Sequence, residues 1–459
     1  MSALARIRES RFLRDSFLLQ ISGALQAGIG FVSSAAIAHS IGLEGQSAYG
    51  LTVAMYGLLF MLLNTGVVAA GVNQISAAEK NGRPEKIASW LAYVVKVYAG
   101  VGLGLVIAGI FLLPRLAEWR GYEGAQALGF MAAVLCTMSL LETPRVLATV
   151  TFQGLRRMSD LARLDVGTDL GRLLAVLAGL AILRSPAGAV YGHLAGGALG
   201  SILGVVMMRR ASRRDGRVPG LRDILSRIRD VPLVQGLPLA LRAGSMRSMD
   251  ALALEVLPPL LLKAKDAIAG GVVAEMKVAQ RVMKLPVTLL QGLSRTALPM
   301  LSRNMGERDP ELFRRQFLRV SLTGGVVVVL GIGLALLFLP LVVRVAYPPE
   351  YEAPVRRLLL IFAVGYSMQS FAVALDAFYF VTGRFRVAIL ISVLGLFVTI
   401  PLMGWLGQRL PETGVAWGIV ASMSLCLVHY AHIGWYFLSG RYKTMFDEAP
   451  EPPPVPTVN

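Results

Sequence analysis

Apolar residues fall in twelve long stretches separated by short polar breaks. These lie near 16–41, 50–72, 89–113, 125–150, 167–183, 188–208, 234–261, 270–299, 320–343, 358–381, 387–407 and 413–438. A helix rises about 1.5 Å per residue, so crossing a hydrocarbon core of about 30 Å takes roughly 20 apolar residues. Each stretch therefore predicts one membrane-spanning helix, spans 1 to 12 in chain order. Span 5 is short and spans 7 and 8 carry charges, which sets those three apart. No connection is long enough to hold a β domain. The expected fold is an all-α polytopic membrane protein of about twelve transmembrane helices.

Composition agrees. Of 459 residues 55% are hydrophobic and only 16% charged, with mean hydropathy +0.62; soluble domains run near a quarter charged. A net charge of +17 would suit nucleic acid, but the basic residues sit between apolar runs and form no continuous basic domain. Topology accounts for them better. One set of loops, with both tails, holds 27 Lys and Arg and the opposite set nine, so both termini are expected on the cytoplasmic side of a bacterial inner membrane. Eight of the 27 lie in one linker: Arg209, Arg210, Arg213, Arg214, Arg217, Arg222, Arg227 and Arg229. Trp90, Trp119, Trp405, Trp417 and Trp435 fall near predicted helix ends, as an interfacial belt requires. Cys136 and Cys426 lie inside apolar runs and read as core residues. The expected organisation is a basic tail (1–15, with no cleavable signal), an N-lobe (16–208), a basic linker (209–233), a C-lobe (234–438) and a disordered, Pro- and acid-rich tail (439–459).

The two lobes carry traces of a duplication. At an offset of 226, the loop pattern Ser76-x7-Pro84-Glu85 falls on Ser302-x7-Pro310-Glu311. The same offset places Gly45 on Gly271, Gly66 on Gly292, Phe152 on Phe378, and Pro114 on Pro340 where spans 3 and 9 are expected to end. Gly188 and Gly192 fall on Gly414 and Gly418, at the entry to spans 6 and 12. Six spans per unit make the repeats parallel, related by an axis along the membrane normal. Two such lobes can rock around a central cavity, which is the architecture of a transporter.

Nine basic residues lie within the predicted spans: Lys96, Arg145, Arg172, Arg242, Arg247, Lys277, Arg281, Lys284 and Arg295. A charge facing lipid costs several kcal/mol, so these should face protein or a wet cavity. On span 8, Lys277, Arg281, Lys284, Thr288, Gln291 and Arg295 share one helical stripe, with Arg281 and Lys284 near mid-membrane. At the 226 offset the four bases correspond to Leu51, Met55, Leu58 and Ala69, so the scaffold does not require charge there. The intramembrane acids singled out are Glu142, Asp250, Glu255, Glu275 and Asp376, fewer than the bases. Two readings follow. In one, the bases are tied up structurally, as Arg145 with Glu142 or Arg247 with Asp250 at i,i+3; in the other, the acids include an ion-coupling site while unpaired bases form a cationic cavity. Such a cavity would suit an anionic cargo, above all a phosphate or diphosphate. Ser22, Gln26 and Ser33 share a face of span 1 that could line it, and Pro144, Pro286 and Pro401 are expected to kink their spans. His193, His429 and His432 show no metal-binding spacing, and neither metal nor cofactor is expected.

A family pattern emerges from span 8 onward. "TALPMLSRNMGERDPELFRRQFLRVSL" is followed by a long apolar span, "YPPEYEAPVRRLLLIFAVGYSMQSF", "VTGRFRVAILISVLGLFVTIPLMGWLG" and "PETGVAWGIVASMSL", with "IGLEGQSAYGLTVAMYGLLFMLLNTGV" as its counterpart in the first half. The set resembles the polysaccharide-exporter branch of the multidrug/oligosaccharidyl-lipid/polysaccharide (MOP) superfamily, the oligosaccharide repeat-unit flippases. The resemblance implies two six-helix lobes in a V, with spans 1, 2, 7 and 8 lining the cavity. It implies an undecaprenyl-diphosphate-linked saccharide as cargo, turned to the outer leaflet by alternating access, with Lys277, Arg281, Lys284 and Arg242 on the matching helices. Membrane lipids and a polysaccharide polymerase or export machinery are the implied partners. Lipid II flippases of the superfamily carry two further C-terminal spans, so a peptidoglycan precursor is disfavoured as cargo.

Three rivals stand against this expectation. A drug antiporter of the same superfamily would want an acid in span 1, and 16–41 contains no Asp or Glu. A major-facilitator transporter would want a Gly where Ile75 opens the loop after span 2. An enzyme acting on lipid-linked sugars would need a large external loop, and no phosphate-binding loop sequence is present.

Overall fold

The computed structural model describes residues 11–61, 66–80, 82–229, 231–238, 240, 249, 251–287, 301 and 309–444. Every regular element among them is helical. The first helical stretch, Arg11–Phe60, has 50 residues and would reach about 75 Å if straight, more than twice the hydrocarbon core. Gly42 breaks it at φ 65° and ψ −173°, a conformation in which a Cβ would clash and which is essentially confined to glycine. The arms on either side are span 1 and the start of span 2, which resumes as Val67–Lys80.

Span 3 is Pro84–Trp119; span 4 is Ala125–Leu141 with Thr143–Gly154, bent by 44° beside Pro144. Spans 5 and 6 are Met158–Leu183 and Pro186–Arg214. In the second half, Leu252–Leu261 belongs to span 7 and Val272–Val287 to span 8. Spans 9 to 12 are Pro310–Ala346, Pro349–Tyr379, Phe385–Arg409 and Gly414–Leu438. Eight helices among the described residues are long and apolar enough to cross a membrane, and the bent pair makes nine. The break at Gly42 turns one of these into two spans, and the partly described spans 7 and 8 complete the expected twelve.

Three expectations shift. Span 5 is not short: its helix starts at Met158, and the polar Asp160, Arg163 and Asp165 hid the first two turns. Pro114 and Pro340 do not end spans 3 and 9, which run on to Trp119 and Ala346. Pro401 sits inside the helix Phe385–Arg409.

The duplication reappears as packing. A Cβ on Gly188 would lie 2.5 Å from the Gly179 carbonyl oxygen, and one on Gly192 would lie 2.5 Å from Val176 Cα. At the matching places in the other lobe, a Cβ on Gly414 would lie 2.0 Å from the Leu406 oxygen and one on Gly418 2.8 Å from Met403 Cα. Both pairs of spans, 5 with 6 and 11 with 12, approach backbone to backbone on the same glycines, as membrane helices do where small residues line the contact.

The cores define the shape. At the end of the helices that carries the chain's tails, the lobes have separate cores. One centres on Ile75, Tyr93 and Phe152 and takes in Ala240 from the lead into span 7, and the other centres on Phe313, Phe317 and Phe378. At the opposite end a single core joins them, with Leu51 and Met55 beside Val273, Met276 and Phe362. The hydrogen bonds between lobes cluster at that joined end. The Ala274 N–H donates to Ser47 Oγ (3.1 Å), Tyr351 Oη to Gln46 Oε1 (2.6 Å), His39 Nε2 to the Ala346 oxygen (3.2 Å) and Arg120 Nη2 to the Leu262 oxygen (2.7 Å). The result is a V, closed at one face and parted at the face of the tails.

Candidate functional site

Span 8 meets span 7 through a local defect. Residues Leu252–Val256 form a π-helical turn, and Pro258 and Pro259 follow it. In an α-helix the amide of residue i+4 caps each carbonyl, and proline has no amide hydrogen to give. The carbonyls of Leu254 and Glu255 therefore lose their helical partners. Span 8 supplies substitutes: Gln280 Nε2 donates to the Leu254 oxygen (2.8 Å) and Lys277 Nζ to the Glu255 oxygen (2.7 Å). Lys284 Nζ also donates to the Glu255 carboxylate, an ion pair. Two of the three described bases of the stripe are thus committed to span 7.

Arg281, between them on the same face, is not. It crosses to the other lobe and lies over Gly30 of span 1, where a Cβ would come within 2.8 Å of its Nη1. Glycine gives the guanidinium its room. Among the described residues Lys277, Arg281 and Lys284 meet one carboxylate, Glu255, which leaves two positive charges in excess.

A second network sits within the N-lobe. Glu142, at the bend of span 4, accepts Arg145 Nη2 at 2.7 Å and Arg172 Nη2 at 2.5 Å. Arg172 also pairs with Asp169 at 3.6 Å. Asp169 is not among the acids that the sequence singles out, nor is Asp165, which also acts on Arg145. Among the described residues, the buried Nε atoms of Arg145 and Arg172 have no hydrogen-bond partner. Close by, Tyr49 Oη lies 3.4 Å from His193 Nδ1.

The remaining candidates scatter. Gln26 Nε2 donates to Ser22 Oγ at 3.2 Å, within one helix and with Ser22 buried, while Ser33 is half-buried. Glu275 is buried at the start of span 8. Asp376 lies where span 10 leaves a 3₁₀ turn, in the C-lobe. Lys96 turns away from the cleft and donates to the Ile228 oxygen of the linker at 3.3 Å. Arg242, Arg247, Asp250, Thr288, Gln291 and Arg295 lie outside the described residues, so the Arg247–Asp250 pairing does too. The contact of Glu255 with the lysines went unforeseen, although the Pro258-Pro259 pair in the sequence signals two orphaned carbonyls.

This arrangement can be set against known proteins. The chain resembles an inward-facing multidrug resistance MATE family transporter of the MOP superfamily, at 17% identity and TM-score 0.66, covering 94% of this chain and 96% of that one. It resembles a eukaryotic MATE transporter at 14% identity and TM-score 0.70, covering 95% and 98%. An outward-facing multidrug resistance MATE family transporter matches at 18% identity and TM-score 0.62, covering 94% and 96%. At such identities the likeness shows the fold, the V of two parallel six-helix lobes. No curated protein sequence matches. The family model described as "Polysaccharide biosynthesis protein" matches residues 12–231, and that described as "Lipid II flippase MurJ" matches residues 173–449. The second match is to a family whose cargo the sequence alone disfavours for this chain. Covered over more than half its length by that model, the chain belongs to the lipid II flippase family and, with its MATE-like fold, is a multi-pass membrane transporter of the MOP superfamily.

Proposed function

We propose that the protein is a flippase that turns undecaprenyl-diphosphate-linked oligosaccharide repeat units from the cytoplasmic to the outer leaflet of a bacterial inner membrane, feeding a polysaccharide polymerase or export machinery. The observation that carries this reading is Arg281. It is a cation at mid-membrane depth, lying across the two lobes at Gly30, with no carboxylate within ion-pair distance among the described residues. A guanidinium in a low-dielectric cleft is matched by a phosphate or diphosphate, which it grips with two parallel hydrogen bonds. With the tails in the cytoplasm, as the bias of Lys and Arg requires, the parted face of the V opens to the leaflet where such lipids are made.

A second reading keeps the mechanism and changes the sugar. The match to the lipid II flippase model over 173–449 favours lipid II as cargo, which presents the same diphosphate. Reconstituted proteoliposomes supplied with either lipid distinguish the two. The loss of a charged hydrogen bond is worth roughly 1.5–3 kcal/mol, so Arg281→Ala should slow flipping by about ten- to a hundredfold with unchanged thermal stability. Wild-type flipping by Arg281→Ala would sink both readings.

A further inference from the structure

Trp90 is the exception among the five tryptophans. The other four are between 42% and 79% exposed, as belt residues are, whereas Trp90 is 6% exposed. It forms the floor of a pocket of about 230 Å³ at the parted face. One wall is the end of span 2 with Gln74, another the first turns of span 3 with Arg83, Lys86 and Ser89, and the third the segment that leads into span 7, with Gln235. Gly236 in that segment packs on the Tyr93 ring, where a Cβ would lie 2.4 Å from Cε2, and Tyr93 meets Trp90 edge to face at 5.4 Å.

The charges around the pocket are one-sided. Arg83 and Lys86 are exposed and have no ion-pair partner among the described residues. The nearby acids are engaged or turned away: Glu79 pairs with Arg217 at 3.5 Å, and Glu85 lines a separate pocket on the other side of the helix. Depth selects the ligand's source. The apolar stretch of span 3 begins near 89, so Lys86 stands roughly 5 Å and Arg83 roughly 9 Å beyond it; the headgroup layer adds roughly 5–8 Å on each side of the hydrocarbon core. The two cations and the hydroxyl and amides beside them therefore stand at the level of lipid phosphates.

We infer that this pocket binds the phosphodiester headgroup of an anionic phospholipid, with Arg83 and Lys86 on the phosphate and Ser89, Gln74 and Gln235 on the glycerol. Because its walls come from spans 2 and 3 of one lobe and from the lead into span 7 of the other, an occupied pocket ties the lobes together at the face that must move.

The test is native mass spectrometry of the full chain in neutral detergent, titrated with phosphatidylglycerol, phosphatidylcholine or inorganic phosphate. The wild type should bind its first phosphatidylglycerol about tenfold tighter than phosphatidylcholine. Arg83→Ala/Lys86→Ala should lose that preference, while Arg83→Lys/Lys86→Arg and, outside the pocket, Arg209→Ala/Arg210→Ala should keep it. Equal binding of the two lipids, or undiminished preference in Arg83→Ala/Lys86→Ala, overturns the site. Displacement of phosphatidylglycerol by millimolar inorganic phosphate would assign it to free phosphate and overturn the lipid source. The readout is binding alone, so failure here leaves the cargo reading untouched.

Discussion

At the scale of single residues, charges inside this protein fall into two kinds. Glu142 holds Arg145 and Arg172 in a nearly closed network, with side-chain exposures of 11%, 23% and 25%. Removing one member of a buried ion pair strands its partners, at a cost of roughly 3–5 kcal/mol. Glu142→Gln should therefore lower the thermal midpoint of the purified protein markedly, and an unchanged midpoint would show that the network does not hold spans 4 and 5 together. Arg281→Ala should leave that midpoint unmoved, because among the described residues it forms no ion pair whose loss would strand a carboxylate. The sequence displayed every one of these charges, and the i,i+3 spacing displayed Arg145 with Glu142. It did not display which cation stays unpaired, because that depends on Glu255 being pulled toward span 8 by a π-helical turn. Only the prolines behind that turn hinted at it.

At the scale of elements, the linker after span 6 is a folded strap. Arg157 pairs with Asp160 at 2.8 Å and Asp215 at 3.5 Å, and Arg217 pairs with Asp215 at 3.1 Å and Glu79 at 3.5 Å. Hydrogen bonds from the Arg217 side chain and backbone hold the Asp215 carboxyl below its usual range. The group's contribution is therefore complete above the unfolded value of about 3.9 and is lost as pH falls through the lower folded value. Acidification below pH ~4 should raise hydrogen exchange across 215–229, and Asp215→Asn should do so at neutral pH. Equal protection in Asp215→Asn and wild type would mean that other contacts hold the strap. Sequence periodicity located twelve helices, but it shortened span 5 and ended spans 3 and 9 at prolines. Apolar windows end where polar residues begin, whereas helices continue into the interface as long as their backbone bonds are made.

At the scale of the molecule, the proposed alternating access takes the joined core and the parted cores as one of its two states. The closed face is held by short polar contacts around Ser47, Gln46 and His39, which must break for the other state to form. With Cys136 and Cys426 replaced by alanine, Ser47→Cys/Ala274→Cys should form a disulfide under oxidation, halt flipping and regain it on reduction. Full transport by the oxidised, cross-linked protein would exclude rocking about this contact.

Hydrophobic length, the charge bias of the loops and the 226-residue repeat were enough to determine a twelve-helix, two-lobed membrane protein. Each is a local or one-dimensional property, set by the thickness and dielectric of the bilayer. Which charges cancel, where the lobes meet and which face stands open were decided only by tertiary structure. Those depend on residues far apart in the chain, Arg281 with Gly30 and Ser47 with Ala274, brought together by glycine contacts and by carbonyls that proline left without partners.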